Sequence, residues 1–170
     1  MTSEDLAERG LVLLGCGKMG SAMLQGWLTD GLPATSVHVI DPYPSDWLQA
    51  QGVHINAELP AAPAIVLIAV KPQMMGDALP AIKAMATGNS LFVSVAAGVP
   101  LATYEEMLGA DNPIIRAMPN TPAAVGRGIT ALIGNRKVSE AQMVLAESLL
   151  QAVGQTVRLD NEGQMDAVTG

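Results

Sequence analysis

The sequence predicts an α/β fold, a doubly wound and mostly parallel sheet, on three observations. Short apolar runs alternate with segments of helical periodicity along most of the chain, the pattern of consecutive βα units. The runs Leu11-Val12-Leu13-Leu14 and Ile65-Val66-Leu67-Ile68-Ala69-Val70 are apolar at every position, as strands covered on both faces are. The first run passes directly into Gly15-Cys16-Gly17-Lys18-Met19-Gly20. A helix pattern follows, with Met19, Met23, Leu24, Trp27 and Leu28 at steps of three and four.

That strand, turn and helix carry chemistry. Gly15 permits the turn. Gly17 lets the backbone approach a pyrophosphate, where a Cβ would collide with the ligand. Gly20 lets helix and strand pack closely. Free amides and the positive dipole end at the helix start favour an anion. A Gly-x-Gly-x-x-Gly loop is common as a bare turn, but Asp41 follows its last glycine by about 20 residues, the context of a dinucleotide fingerprint. The reading is a Rossmann-type domain whose cofactor loop is Gly15, Cys16, Gly17, Lys18, Met19 and Gly20. A carboxylate at Asp41 would accept hydrogen bonds from the adenine ribose and repel a 2′-phosphate. No arginine stands nearby in sequence, so the spacing favours NADH over NADPH. The alternative is that Asp41-Pro42 simply starts a turn.

The remaining elements follow in order. Gly31-Leu32-Pro33 stops the first helix. Val37-His38-Val39-Ile40 is the second strand and ends at Asp41. Ser45 caps a short helix through Gln51, and Val53-His54-Ile55 is a short strand followed by Asn56. A Pro- and Ala-rich connection leads to the strand Ile65–Val70. Its end, Lys71-Pro72-Gln73, faces the ligand crevice, which places Lys71 to contact a ribose or phosphate. A solvated lysine leaving a strand is the competing reading. Met74 to Thr87 reads as one helix ended by Gly88. Leu91–Val95 is the next buried strand, and the small residues Ala96-Ala97-Gly98 after it would let a flat ring lie on the backbone. Pro100 at a first helical position begins a helix through Leu108. Pro113–Met118 is a strand running into Pro119-Asn120-Thr121-Pro122. Ile129–Ile133 is another strand. Ser139 and Gln142 form a capping box for a helix through Ala152, and Thr156–Leu159 is the last strand. The last two strands could join the sheet in either direction. From Asn161 a further helix begins and reaches Gly170. The domain is therefore placed at 1–160, with 161–170 leading out of it.

Composition excludes several classes. Of 170 residues, 49% are hydrophobic and 15% charged, which is incompatible with a disordered chain. The net charge of −7, with no cluster of Lys or Arg, argues against nucleic acid and anionic membranes as partners. No apolar run approaches a membrane span, and residues 1–10 hold no apolar signal segment. The expectation is a cytoplasmic protein. Cys16 is the single cysteine, so neither a disulfide nor a cysteine-based metal site can be built.

Four motifs in order resemble those of pyrroline-5-carboxylate reductase: Gly15-Cys16-Gly17-Lys18-Met19-Gly20, Ala69-Val70-Lys71-Pro72-Gln73, Ser94-Val95-Ala96-Ala97-Gly98 and Arg116-Ala117-Met118-Pro119-Asn120-Thr121-Pro122. The Met-Pro-Asn-Thr-Pro loop is the specific one. The resemblance implies reduction of the imine Δ1-pyrroline-5-carboxylate to proline with NADH or NADPH. It puts the glycine loop on the pyrophosphate and Asp41 and Asn56 near the adenosine. Val70, Lys71 and Pro72 fall on the ribose and phosphate side, Ala96 and Ala97 beside the nicotinamide, and Pro119 and Asn120 where nicotinamide meets substrate. It also implies a further helical domain after Asp166-Ala167-Val168-Thr169-Gly170, supplying most of the substrate pocket and the interface of a homo-oligomer. This chain alone is then expected to be monomeric or weakly associating.

No catalytic residue and no metal ligand is assigned. Hydride transfer depends chiefly on alignment of donor and acceptor, the cofactor carries the redox chemistry, and a pyrroline nitrogen is basic enough to be protonated in solution. His38 and His54 lie on strands and receive no role. Two readings compete with the reductase: a binding module that captures a dinucleotide without turnover, and a β-hydroxyacid-dehydrogenase-like enzyme sharing only the glycine loop. The Met-Pro-Asn-Thr-Pro loop argues against the last.

Overall fold

A computed structural model of the chain describes residues 3–119 and 128–165. Its strands are β1 (Leu11–Leu14), β2 (Val37–Ile40), β3 (His54–Ile55), β4 (Ile65–Ile68), β5 (Leu91–Ser94), β6 (Ile114–Pro119), β7 (Gly128–Gly134) and β8 (Gly154–Arg158). Its α-helices are α1 (Ser3–Arg9), α2 (Lys18–Thr29), α3 (Asp46–Gln49), α4 (Met75–Ala78), α5 (Leu101–Leu108) and α6 (Glu140–Leu150). All eight strands form one sheet in the order β3-β2-β1-β4-β5-β6-β7-β8. The first six are parallel, β7 is antiparallel to β6, and β8 is parallel to β7. The predicted doubly wound, mostly parallel fold is the one observed.

Alternation along the strands builds two cores. Leu11, Leu13, Val37, Val39, Ile65, Leu67 and Val93 point to one face, where they meet Met23, Leu24 and Trp27 of α2 and Leu145, Leu149 and Leu150 of α6. Val12, Leu14, Val66, Ile68 and Phe92 point to the other, against Met75, Leu79, Ile82, Met85, Leu101 and Tyr104. A sheet covered on both faces needs apolar residues at every central position, which is why β1 and β4 show no polar alternation. The indole N–H of Trp27 donates to the Leu149 carbonyl at 2.9 Å, tying α2 to α6. Arg158 on the outer strand pairs with Glu140 and Glu147 of α6.

Local signals act as predicted at two caps. Ser45 Oγ accepts from Leu48 N–H, and Ser139 with Gln142 forms the reciprocal capping box. Several boundaries differ from the sequence reading. Met74 to Thr87 is not one helix but α4 flanked by 3₁₀ turns at Pro72–Met74, Leu79–Ala81 and Lys83–Met85. Pro80 falls inside this stretch, and a proline ring there removes a hydrogen bond and clashes with the preceding turn. Pro100 is the N-cap of α5, in extended conformation, rather than its first helical residue. β4 ends at Ile68, two residues early. The polar start of the chain, not predicted as structure, forms α1. Its Arg9 side chain reaches across to the carbonyls of Ala62, Pro63 and Asn89.

Topology positions the site. After β3 the chain crosses back to lay β4 on the other side of β1, so the winding reverses between them. Ligands of open α/β sheets bind outside the carboxyl ends of the strands at such a reversal. Among the described residues, no helix is long and apolar enough to cross a membrane, and no group of His, Cys, Asp or Glu could hold a metal.

Candidate functional site

A cavity of about 470 Å³ opens at the β1/β4 reversal. The ends of three strands line it: Leu14, Gly15, Cys16 and Gly17 after β1, Ile40 and Asp41 after β2, and Ala69, Val70 and Lys71 after β4. Its walls are mainly apolar, with Asp41, Lys71 and Asp77 as the charged groups around it. A second concavity, between α1, α2 and α6, is lined by Leu6, Trp27, Leu32 and Leu149 and lies away from the strand ends.

The three glycines of the loop are glycine for three different reasons. Gly15 has φ +87°, and a Cβ there would sit 2.8 Å from Val70 Cγ1. Conformation and packing both require it. At Gly20 a Cβ would lie 2.8 Å from the Gly15 carbonyl oxygen, so close approach of α2 to the loop excludes a side chain. Gly17 is different. Its φ is −79°, outside the left-handed region, and a Cβ there meets nothing within 4 Å. Packing against the protein does not exclude a Cβ at position 17. The empty volume beside its backbone fits a group that approaches the first turn of α2, whose opening amides have no helical partner and receive no capping side chain from Gly17. The amides of Lys18, Met19 and Gly20 lie in this first turn, beside the cavity rather than in its wall. The residues present therefore fit a pyrophosphate.

Asp41 is fixed by its neighbours. One carboxylate oxygen accepts the Cys16 amide at 3.0 Å, and the other accepts the Tyr43 amide at 2.8 Å. A carboxylate offers about four acceptor positions, so capacity for ribose hydroxyls remains. Asn56 does not line the cavity. It has φ +50° and reads both backbone groups of Asp41: its Oδ1 accepts the Asp41 amide at 2.9 Å and its Nδ2 donates to the Asp41 carbonyl at 2.7 Å. Asn56 thus orients Asp41.

Lys71 and Val70 line the cavity and Pro72 follows at the start of a 3₁₀ turn. Ala96 is buried, with its amide donating to Ser94 Oγ at 3.2 Å, and Ala97 is exposed beside it. Both stand at the same edge but outside the cavity. Pro119 ends β6; Asn120, Thr121 and Pro122 lie outside the described residues. Burial pushes the Cys16 thiol pKa up, with the Asp41 carboxylate adding to the rise and the Ser21 hydroxyl opposing it, so the loop thiol is held protonated.

Sequence reasoning missed several groups here. Tyr43, Met74 and Asp77 line the cavity, and Tyr43 is 88% exposed. An exposed aromatic between two prolines was the available signal. The reading also missed a buried polar cluster beneath the β5–α5 loop. Ser94 Oγ hydrogen-bonds the Tyr104 hydroxyl, and Arg116, opposite Ser94 in the sheet, pairs with Glu162 at 2.8 Å. Burial pushes the Tyr104 pKa up, offset in part by Ser94 and Arg116.

The family model described as NADP oxidoreductase coenzyme F420-dependent matches residues 10–98, just over half the chain. A pyrroline-5-carboxylate reductase of Pseudomonas aeruginosa is 38% identical over 165 residues, covering 94% of this chain and 60% of that protein. The Haemophilus influenzae reductase is 34% identical with the same coverage. A solved pyrroline-5-carboxylate reductase from Coxiella burnetii superposes with a TM-score of 0.87 at 29% identity, covering 95% of this chain and 64% of that one. A Plasmodium falciparum pyrroline carboxylate reductase solved with NADP bound gives 0.81 at 26% identity, covering 94% and 60%. This chain spans about three fifths of the length of the curated relatives it matches. From the glycine loop through Gly98, it belongs to the family described as NADP oxidoreductase, coenzyme F420-dependent.

Proposed function

We propose that this chain is the dinucleotide-binding part of a pyrroline-5-carboxylate reductase, which reduces the C=N bond of Δ1-pyrroline-5-carboxylate to L-proline in cytoplasmic amino-acid biosynthesis. The observation that carries the reading is the glycine loop opening α2 at the β1/β4 reversal, with Asp41 held beside it and the Gly17 backbone open to approach. The named relatives and neighbours support the substrate class.

Bound NADH or NADPH would supply the hydride. The chain's own residues bind and orient. The first-turn amides of α2 hold the pyrophosphate. Asp41, set by Asn56 and the Cys16 amide, meets the adenine ribose and disfavours a 2′-phosphate, and no arginine among the described residues lines the cavity, so we assign NADH as the preferred form. Lys71 answers the negative charge of the cofactor. The edge at Ala97 and Pro119 carries the nicotinamide and its acceptor, with Asn120 beyond Pro119. No described side chain is assigned as proton donor. Alignment against the imine carbon supplies most of the rate gain.

We place residues 1–160 in the cofactor domain and 161–170 in the segment leading on. We assign most of the substrate pocket and the self-association surface to the further length of the relatives, and light scattering is expected to find this chain monomeric or weakly associating. A module that binds without turnover is the second reading. The test is consumption of NADH, then of NADPH, by this chain with pyrroline-5-carboxylate. Turnover assigns a working substrate site to these residues. Cofactor binding without turnover assigns a competent half of the enzyme. Absence of binding overturns the proposal.

A further inference from the structure

The β5–α5 loop, Val95 to Pro100, is held at both ends by polar groups, buried at its start and half-buried at its exit. At its start Ser94 Oγ accepts the Ala96 amide and hydrogen-bonds the Tyr104 hydroxyl of α5. At its end the Leu101 amide, first in α5, donates to Glu162 Oε2 at 3.0 Å. The same oxygen accepts from Arg116 Nη1 at 2.8 Å. The Arg116 side chain is 9% exposed, its Nε has no partner among the described residues, and Ser94 faces it across the β5/β6 pair. Glu162 comes from far along the chain, in the turn beyond β8. Met165, just after it, is buried against Met118 and Ala131. One carboxylate therefore joins three pieces: the loop exit, the last β6 residue paired with β5, and the segment leaving the sheet.

α5 could have closed its first turn with a local Ser, Thr or Asp. Its N-cap is Pro100, which has no side-chain acceptor, so the acceptor is supplied from 61 residues away. A helix start capped by a distant, charge-paired carboxylate has its position set by tertiary structure.

We infer that Glu162 is a positioning residue for the nicotinamide end of the cofactor site: through Leu101 and Arg116 it fixes the loop carrying Ala96 and Ala97. The inference rests on the proposed dinucleotide function. It predicts a selective defect. ADP-ribose, which ends before the nicotinamide, engages the glycine loop, Asp41 and Lys71; NADH engages the β5–α5 loop as well.

The experiment compares binding of ADP-ribose and NADH by calorimetry, and the fluorescence of bound NADH, in the parent chain, Glu162→Gln, and the double variant Arg116→Met/Glu162→Met. The double variant removes both charges together, so no buried guanidinium is left unpaired. The expected result is ADP-ribose affinity within about twofold of the parent in both variants. NADH affinity falls about tenfold, and its fluorescence enhancement is lost in the double variant, with a smaller loss for Glu162→Gln, which keeps an acceptor for Leu101. Equal losses for both ligands, or none for either, overturn the inference while leaving the dinucleotide reading intact. A parent chain that binds neither ligand overturns both.

Discussion

The carboxyl edge of the sheet has two halves built by different means. Around β1, β2 and β4 the surface is backbone: glycines, loop amides, and an Asp41 held by amides. Around β5 and β6 it rests on buried side chains, Ser94, Tyr104 and Arg116, closed by Glu162 from beyond β8. The first half is local, assembled from strand-to-helix turns, and its space is left open. The second is assembled from elements far apart in the chain, and its groups are already paired with one another. A site for a rigid anion can be written in a short motif. A surface for a ring that must be aligned needs the tertiary frame.

The largest effect expected on the first half comes from Gly17→Val. Binding of NADH should weaken at least about a hundredfold, ~3 kcal/mol, with little change in Tm, because a Cβ at this position meets no protein atom within 4 Å. Retained binding in calorimetry would show the loop to be only a turn. Gly15→Ala should act on stability instead. The positive φ and the 2.8 Å approach to Val70 predict a loss of about 1–3 kcal/mol in urea unfolding, and an unchanged midpoint would contradict the packing described. The pair of variants thus separates a glycine needed by the ligand from one needed by the fold.

A smaller effect is expected from Asp41→Ala, which should weaken NADH about tenfold, or ~1.4 kcal/mol, and relax discrimination against NADPH. Equal, unchanged affinities for both cofactors would remove Asp41 from the site. Asn56→Ala should do the same more weakly, since it reaches the carboxylate only through the Asp41 backbone.

The smallest effect lies at the opposite edge of the sheet. His38 and His54 stack with centroids 4.6 Å apart. Burial, then the neighbouring His54, lowers the His38 pKa from its ordinary 6.5. The unfolded chain therefore takes up the proton first as pH falls. Stability is fully present above pH ~6.5 and declines below it, through the lower folded pKa. Thermal melts between pH 8 and 5 should show this decline, and it should shrink in His38→Gln. An identical decline in the variant would place the titration elsewhere.

The first half was legible because each of its features is short in sequence. An apolar run, three glycines and an acidic residue at the end of the next strand suffice, since βα geometry places them together. Asn56 was foreseen at the adenosine but not as the residue that orients Asp41, because its positive φ and its pairing depend on β3 lying beside β2. Pro80 marks the break in this stretch, and the helical periodicity on either side of it hides that break from a pattern reading. The Glu162 contact left no local signal. A lone acid after a polar turn has many fates, and only the crossing of the chain over β6 and β7 selects one.

The amino-acid sequence by itself determined the sheet class, the glycine loop and the acidic residue beside it, because apolar periodicity and backbone freedom act within a few residues. Tertiary structure decided the direction of the last strands, the vacancy beside Gly17, the fixing of Asp41 and the clamp on the β5–α5 loop. Each of these is a relation between atoms brought together from separate stretches, and its energy exists only once the sheet has formed.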